Sequence, residues 1–328
     1  MTAALHGGPA LTETFDVALL DLDGVVYLGD EPAPYAVEAL SAARRDGMRM
    51  AYVTNNASRS PDDVAAQLAG YGLDATVEEI VTGAQAAAAL LAERLSPGDA
   101  VLVTGTAALR DAVTAAGLRV VPTADDDPRA VVMGYDPTID YARLAEATVA
   151  IRRGAMFVAS NLDATLPTPR GALPGMGSLA ALVTTATGQQ PVVAGKPERT
   201  LFEQSVARTG AKKALVVGDR LDTDIEGANR AGLPSLLVLT GVTDLLAAAT
   251  ADPPQRPTFI AADLRGLART HPAGMNGRCG DAVAEYDDEA RRVVLRQAAD
   301  HAASLTAMVT AGWQATDAGS PVEGIDAG

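Results

Sequence analysis

Short apolar runs, each followed directly by a cluster of polar residues, are the feature that most constrains the fold of this chain. Four such runs occupy residues 17–20, 50–53, 191–194 and 214–217. Apolar runs of this length, bounded by polar residues, are typical of strands that are buried on both faces of a parallel sheet. Helical stretches alternate with the runs, so the pattern predicts an α/β fold built on a parallel sheet.

The polar segments after these runs contain the candidate functional residues. They are Asp21-Leu22-Asp23-Gly24, Thr54-Asn55-Asn56, Gly195-Lys196-Pro197-Glu198, and Gly218-Asp219 with Thr223-Asp224. In open parallel sheets, ligands bind in the crevice at the carboxyl ends of the strands. We therefore expect two carboxylate pairs, a hydroxyl with two amides, and a lysine to meet in one pocket.

The acidic residues in these segments predict a metal site. Asp21 and Asp23 lie two residues apart at a predicted strand end, and Asp219 and Asp224 follow another strand. A lone aspartate at such a position more often caps a turn. Several carboxylates in one place, however, require a cation or a shared proton. Mg²⁺ is commonly held by one or two carboxylates together with substrate phosphate, so these residues indicate a magnesium site.

The remaining polar segments predict phosphate binding. Thr54, Asn55 and Asn56 offer hydroxyl, amide and backbone donors, which are the groups that phosphate oxygens accept from. Lys196 lies on a short turn between glycine and proline and could neutralise a phosphate. Taken alone, the first segment could equally be a simple turn and the lysine a solvated surface charge. The three histidines, His6, His271 and His301, lie outside these segments, so a histidine base is not expected.

Composition limits the other function classes. A chain of 328 residues with 48% hydrophobic content can bury a large core and predicts at least two domains. The formal net charge of −15 argues against nucleic acid or an anionic membrane as a partner. A single cysteine, Cys279, excludes an internal disulfide and a site of several thiolates. Without a signal-peptide pattern or an apolar run of about 20 residues, we expect a cytoplasmic protein.

The order of the elements predicts one domain inserted into another. Residues 1–14 are expected to be disordered. Residues 15–95 and 191–268 form a core whose sheet resumes at Val192, and residues 96–190 form a second α/β unit, a cap. Residues 269–328 form a linker and a small appendage, with a hairpin from 283–286 and 293–295 and a helix from Asp300 to Trp313. No chemistry is expected in this appendage, whose role could be interaction or purely structural.

Together the four segments resemble the motifs of the haloacid dehalogenase superfamily of phosphatases, in the branch with a large α/β cap. This branch acts on nitrophenyl phosphate, phosphoglycolate, glycerol 3-phosphate, pyridoxal phosphate and nucleotides. The resemblance runs from Phe15 to Leu267 and includes two cap segments, 134–136 and 174–179. It implies a Rossmann-like parallel-sheet core with an inserted α/β cap, and Mg²⁺-dependent hydrolysis of a small phosphomonoester. Relatives in this branch often form homodimers through the cap.

The resemblance also assigns roles to the acidic residues. Asp21 would be the nucleophile that becomes an aspartyl-phosphate, and Asp23 would act as the acid and base. The metal ligands would be Asp21, the backbone carbonyl of Asp23, and Asp219, with Asp224 supporting Lys196 or a metal-bound water. A carboxylate nucleophile divides phosphoryl transfer into two easier steps.

For the other two segments the resemblance implies substrate binding. Thr54 and Asn55 would hold the phosphoryl oxygens, Asn56 would lie close to the substrate, and Lys196 would neutralise the phosphate and the nucleophile. Such positioning and charge neutralisation are the main requirements of phosphoryl transfer.

The substrate is predicted from the cap. Its candidate contact loops, 134–137 and 161–163, contain no Arg or Lys, which favours a neutral polyol and hence glycerol 3-phosphate. Phosphoglycolate, pyridoxal phosphate and nucleoside monophosphates are the alternatives. A haloacid dehalogenase, a phosphotransferase, a receiver domain and an inactive scaffold are more distant possibilities. The second acid, Asp23, and the inserted cap argue against a receiver, and the full set of acids, hydroxyl and lysine argues against an inactive scaffold.

Overall fold

The computed structural model of the protein describes residues 5–168 and 170–327. Its strands are β1 Val17–Leu20, β2 Tyr27–Leu28, β3 Glu31–Pro32, β4 Arg49–Thr54, β5 Ile80–Thr82, β6 Ala100–Thr104, β7 Arg119–Val121, β8 Ala130–Met133, β9 Met156–Ala159, β10 Thr165–Thr168, β11 Gly171–Pro174, β12 Val192–Val193, β13 Ala214–Gly218, β14 Ser235–Val238, β15 Phe259–Ala261, β16 Arg278–Cys279, β17 Ala282–Asp287, β18 Arg292–Gln297 and β19 Gly324–Asp326. Its helices are α1 Leu11–Thr14, α2 Ala36–Arg45, α3 Pro61–Gly70, α4 Gly83–Ala92, α5 Ala107–Ala115, α6 Tyr141–Arg152, α7 Met176–Thr187, α8 Thr200–Thr209, α9 Glu226–Ala231, α10 Leu245–Ala249 and α11 His301–Asp317.

The core is a six-stranded sheet in the order β15-β14-β13-β1-β4-β5. Strand β1 is central and pairs in parallel with β13 and β4, so that Leu20 lies opposite Val217 on one side and Tyr52 on the other. All four residues of β1 are fully buried, as expected for a strand covered on both faces. The predicted Rossmann-like α/β core is therefore confirmed.

A second parallel sheet has the order β12-β9-β8-β6-β7. The apolar run 191–194 was predicted to continue the first sheet, and this prediction is wrong. In the structure Val192 and Val193 pair in parallel with Val158 and Ala159 of β9. A run of two or three valines fits either sheet equally well, so its hydrogen-bonding partner cannot be inferred from its composition.

Contacts divide the chain into two compact units. The first comprises the chain up to Tyr52, Tyr71–Leu73 and everything from Val206 onward, and the second comprises Val53–Gly70 and Asp74–Ser205. These divisions differ from the predicted core and cap boundaries near residues 95 and 190. Residues 53–70 and 74–95 group with the residues of the predicted cap. The predicted core and cap boundaries stay a prediction.

The beginning of the described chain is folded, contrary to the expected disorder of residues 1–14. Leu5 and Leu11 are buried, and α1 ends just before Phe15. Leu5 forms an antiparallel bridge with Gly274, and Gly8 forms one with His271. Two apolar side chains thus anchor residues 5–14 in the first unit, while residues 1–4 lie outside the described part of the chain.

The C-terminal residues form a four-stranded sheet, β16-β17-β18-β19, packed on α11. The predicted hairpin is confirmed, because β17 and β18 pair antiparallel, and the predicted helix extends four residues further, to Asp317. Twelve of the 17 residues of α11 are buried. Trp313 packs with Leu237 and Ile260 of the core sheet and donates its indole hydrogen to Ala248 O at 2.8 Å. The predicted appendage is therefore an integral part of the first unit.

A buried ion pair fixes the end of α11. The Arg256 guanidinium, 3% exposed, donates to both carboxylate oxygens of Asp317 at 2.6 and 3.0 Å and stacks over Trp313 at 5.1 Å. The hydrogen bond from Arg256 lowers the pKa of Asp317 below its usual value. No described helix is long and apolar enough to cross a membrane.

Replacement of Asp317 with alanine is expected to lower the free energy of unfolding by about 2 kcal/mol, because it leaves a buried guanidinium without its counter-ion. This is less than a fully buried pair would contribute, since the Asp317 side chain is 37% exposed. Because the pKa of Asp317 is lowered on folding, this stability is present at neutral pH and is lost as the pH falls below about 4. Urea denaturation of wild type and Asp317→Ala at pH 7 and pH 3 measures both effects. The matched control is Glu289→Ala, at an exposed position, and an Asp317→Ala deficit that persisted unchanged at pH 3 would contradict this account.

Candidate active site

Three buried or half-buried carboxylates meet at the carboxyl ends of β1 and β13. Asp21 follows β1, Asp219 follows β13, and the Asp21 N–H donates to Val217 O at 2.9 Å. Asp21, Asp219 and Asp224 each place a carboxylate oxygen within 4.8 Å of the others. Like charges this close require a positive ion or a proton, and their hard oxygen atoms suit Mg²⁺. The structure thus brings Asp21, Asp219 and Asp224 together, and their role in binding a metal stays a prediction.

Two glycines enclose the carboxylate of Asp219. A β-carbon added at Gly24, whose φ is +91°, would lie 2.4 Å from Asp219 Oδ2, and one added at Gly241 would lie 2.1 Å from the same atom. The N–H of Val242 donates to this oxygen at 2.6 Å, and the Thr240 hydroxyl donates to Gly24 O at 2.6 Å. A side chain at either position would displace the Asp219 carboxylate. Nothing in the sequence around Gly241 indicates that it lies against Asp219, because the two residues meet only in the folded chain.

Asp224 lies closer to the centre of the site than its predicted supporting role implies. It belongs to a π-helical turn, Leu221–Ile225, and its Oδ2 accepts a hydrogen bond from Arg220 N at 3.1 Å. A β-carbon at Gly218 would lie 2.2 Å from that of Asp224, so this glycine permits the close approach. Asp222, in the same turn, is exposed and pairs with the Arg220 guanidinium at 2.8 Å. Asp224 can therefore ligate a cation, whereas Asp222 is an ordinary surface acid.

Asp23 is exposed and lies outside this carboxylate group. Its Oδ2 accepts a hydrogen bond from the Tyr27 hydroxyl at 3.3 Å, and the Gly24 N–H donates to Tyr27 O at 2.8 Å. The Asp23 carboxylate is therefore accessible to solvent. The predicted contact of its backbone carbonyl with a metal stays a prediction.

In the second unit, the side chain of Asn55 holds the backbone of Lys196. Asn55 Oδ1 accepts from Lys196 N at 2.7 Å, and Asn55 Nδ2 donates to Lys196 O at 3.3 Å. Lys196 is 3% exposed. The Asn55 amide group, which was predicted to contact phosphate, is thus engaged in positioning Lys196. A β-carbon at Gly195 would lie 2.5 Å from Asn55 Oδ1, which explains the glycine before the lysine.

Two residues of the predicted substrate loop support Asn55. Asn161 Nδ2 donates to Asn55 O at 2.9 Å, and Asp163 Oδ2 accepts from Asn55 Nδ2 at 3.4 Å. The side chain of Asn161 also accepts from Asp163 N at 3.1 Å, so the loop is braced internally. The sequence placed this loop in the cap but gave no sign that it contacts Asn55.

Thr54 and Asn56 form the turn around Asn55. The Thr54 hydroxyl accepts from Asn56 N at 3.1 Å, and Asn56 Oδ1 accepts from both the N–H and the hydroxyl of Ser58 at 2.7 Å. Thr54 is buried and Asn56 is half-buried. Residues 54–56, which were predicted either to form a simple turn or to bind phosphate, do form a turn. Thr54, Asn55, Asn56 and Lys196 are brought together within one unit.

The second predicted contact loop, 134–137, forms an ion pair with the side chain of Arg143, which lies outside the loop in the sequence. Arg143 of α6 donates to Asp136 Oδ2 at 2.7 Å and to Gly105 O at 2.6 Å. Burial opposes ionisation of Asp136, but hydrogen bonds from Thr138 and Arg143 outweigh it and hold the pKa of Asp136 below its usual value. The two partners are seven positions apart in the sequence, so only the packing of α6 reveals the pair.

Family comparisons agree with this chemistry. The haloacid dehalogenase-like hydrolase family matches residues 18–119, and a related hydrolase-like family matches residues 193–267. The D-glycerol 3-phosphate phosphatase of Mycobacterium tuberculosis is 54% identical over 258 residues, which are 79% of this chain and 72% of that protein. The 5′-nucleotidase YutF of Bacillus subtilis is 39% identical over 70% of this chain and 90% of its own.

A solved structure extends the similarity to the C-terminal residues. Glycerol phosphate phosphatase Rv1692 from M. tuberculosis, in complex with magnesium, superimposes with a TM-score of 0.87 at 46% identity, over 97% of this chain and 95% of that one. Its complex with calcium gives a TM-score of 0.88. The sequence resemblance ended near Leu267, whereas the structural similarity includes nearly all of the chain.

Proposed function

The chain belongs to the haloacid dehalogenase-like hydrolase family, and we propose that it is an Mg²⁺-dependent phosphatase whose substrate is glycerol 3-phosphate. The observation that carries this proposal is the group of three carboxylates, Asp21, Asp219 and Asp224, at neighbouring strand ends. The substrate is supported by the 54% identity to the mycobacterial D-glycerol 3-phosphate phosphatase.

In the proposed reaction Asp21 is the nucleophile. Its carboxylate oxygen attacks phosphorus, and an O–P bond forms as the bond from phosphorus to the glycerol oxygen breaks. Asp23 gives its proton to the departing oxygen. In the second step Asp23 takes a proton from water, the water oxygen attacks phosphorus, and the aspartyl-phosphate returns to free Asp21 and inorganic phosphate. The exposure of Asp23 suits this exchange of protons with water and substrate.

The carboxylate group suits a magnesium ion. Asp21 and Asp219 would hold it through their carboxylates and Asp23 through its backbone carbonyl. Asp224 would either ligate it or support Lys196 or a bound water. When bound, Mg²⁺ supplies the positive charge that phosphoryl transfer requires. Magnesium in the Rv1692 structure supports this choice of metal.

Thr54, Asn55, Asn56 and Lys196 are proposed to bind the phosphoryl group. The Thr54 hydroxyl can donate to a phosphoryl oxygen while it accepts from Asn56 N, and Lys196 supplies charge. Because the Asn55 amide holds the Lys196 backbone, we assign the phosphate contact of Asn55 to its backbone N–H.

Arg143 bears on the choice of glycerol 3-phosphate as the substrate. The contact loops were expected to lack a cation, and Arg143 does reach loop 134–137. Its charge is balanced by Asp136, however, so this pair offers little net attraction to a second anionic group on the substrate. The pair therefore still favours a neutral polyol over phosphoglycolate.

The decisive experiment compares kcat/KM for glycerol 3-phosphate, 2-phosphoglycolate, pyridoxal phosphate and a nucleoside monophosphate with Mg²⁺ present. We expect glycerol 3-phosphate to exceed the others by at least about tenfold. A tenfold preference for any of the others would overturn the substrate, and the B. subtilis 5′-nucleotidase makes the nucleotide the most informative rival. Nitrophenyl phosphate turnover that is lost in chelator and restored by Mg²⁺ separates a phosphatase from a dehalogenase, while free phosphate release separates it from a phosphotransferase or a receiver.

The charge and the single cysteine of the chain bear on its binding partners and its cellular location. The net charge of −15 supports a protein without nucleic acid or anionic membrane partners. A cytoplasmic location agrees with the lone cysteine, Cys279, which is a free, buried thiol. A homodimer through the cap is proposed from the family alone. Light scattering after size-exclusion chromatography tests it, and a monomeric mass at micromolar concentration would contradict it.

A further inference from the structure

A cleft in the second unit has the character of a binding site and shares none of the proposed catalytic residues. It has a volume of about 400 Å³ and lies at the carboxyl ends of β6 and β7, between α5 and α6. Its walls include Leu102 and Val121, which are apolar, and the polar side chains of Thr104, Arg110 and Arg143. Clefts of this size with a few convergent polar groups are typical small-molecule sites.

A buried hydroxyl in the wall of this cleft lacks a partner. Thr104 is 1% exposed, and among the residues that the structure describes its Oγ1 has no hydrogen-bond partner. Thr104 and Leu102 lie two positions apart on β6, so their side chains project from the same face of the sheet. Leu102 packs with Leu144 and Ala147 of α6, which places Thr104 on the α6 side, where the cleft lies. A buried hydroxyl without a hydrogen bond destabilises the fold, and a ligand that hydrogen-bonds to it would remove this cost.

Arg110 is the cation of this cleft that is available to an anionic group on a ligand. Arg143 is paired with Asp136, and the Glu146 carboxylate, which accepts from Ala124 N at 2.7 Å, keeps its negative charge. Arg110 donates only to Gly105 O, at 2.8 Å, and has no acidic partner within the described part of the chain. Its guanidinium keeps further donors in a fork that matches a carboxylate.

We propose that this cleft binds a small organic carboxylate, with its charged end on Arg110 and Thr104 and its apolar part against Leu102 and Val121. The site is independent of the phosphatase assignment. A bound ligand would also contact Arg143, which lines the cleft. Arg143 donates hydrogen bonds to Gly105 O and to Asp136, and so holds loop 134–137. A carboxylate bound here could therefore stabilise one arrangement of that loop.

Methyl NMR of the full-length protein with Mg²⁺ tests this proposal, with sodium butyrate as the probe and butyramide as its neutral counterpart. We expect butyrate to shift the methyl signals of Leu102 and Val121 with a dissociation constant of about 1–10 mM. Arg110→Gln should weaken binding by about tenfold, because it removes a charge-assisted hydrogen bond. Arg129→Gln is the matched control, an exposed arginine of the same unit outside the cleft.

Thr104→Val separates a binding role from a structural one. The valine keeps the volume and removes the unsatisfied hydroxyl, so we expect weaker butyrate binding together with a melting temperature raised by about 1–3 °C. The proposal is overturned if butyramide or inorganic phosphate shifts the two methyl signals as strongly as butyrate. It is equally overturned if Arg110→Gln binds butyrate as well as Arg129→Gln, or if wild type shows no shift at 50 mM butyrate, well above the expected dissociation constant of about 10 mM.

Discussion

Asp21→Asn is expected to lower kcat for nitrophenyl phosphate by about 10⁴-fold or more, while the melting temperature stays close to that of wild type. The amide has nearly the same shape as the carboxylate but cannot act as a nucleophile, and losses of this size follow removal of a catalytic nucleophile. The backbone of Asp21 remains bonded to Val217 O, so the strand end is not disturbed. Steady-state kinetics together with thermal denaturation provides both readouts.

Asp222→Asn is the matched control for this variant. It makes the same chemical change on an exposed side chain that pairs with Arg220. We expect its kcat to stay within about twofold of wild type, as for most surface substitutions. If Asp21→Asn retained a tenth of wild-type turnover, the proposed covalent step would be wrong, even if the protein proved to be a phosphatase.

Asp219→Asn is expected to raise the Mg²⁺ concentration needed for half-maximal activity by at least about tenfold. The substitution removes one negative charge from the carboxylate group and leaves the buried contact with Val242 N in place. Gly241→Ala should produce a similar but smaller shift, because its β-carbon would displace the Asp219 carboxylate without changing its charge. Activity measured against Mg²⁺ concentration, and Mn²⁺ binding followed by electron paramagnetic resonance, report the two effects separately.

Calcium provides a second test of the same site. We expect Ca²⁺ to bind but to support little turnover, since it takes more ligands at longer distances than Mg²⁺. Asp222→Ala should leave the Mg²⁺ requirement unchanged. Unaltered Mn²⁺ binding in Asp219→Asn would remove Asp219 from the metal site, and full wild-type activity in excess chelator would remove the metal altogether.

The sequence predicted best the features that depend on one strand and the residues directly after it. Strands β1 and β13 followed from their apolar runs, and because both are parallel strands of one sheet, Asp21 and Asp219 were expected to meet. Thr54 lies at the end of β4, as the apolar run 50–53 before it predicted. These predictions succeeded because each depends on short-range patterns.

Features that depend on contacts between distant segments could not be predicted in this way. The position of β12 in the second sheet, the bond from Asn55 to Lys196, and the pair of Arg143 with Asp136 all require knowledge of the packing. The burial of α11 did have a sequence signal. Its residues are small or apolar on nearly every face, which is typical of a helix surrounded by protein rather than one on the surface.

The pairing of residues 5–8 with residues 271–274 also affects how this protein folds as it is synthesised. Leu5 and Gly8 are made more than 250 residues before their partners, Gly274 and His271. Domains commonly fold during synthesis as soon as their residues are available. The second unit, which is complete at Ser205, can do so, but the first cannot finish until its last strands and α11 are released. Until then residues 5–14, including the apolar Leu5 and Leu11, lack the contacts that bury them in the folded protein.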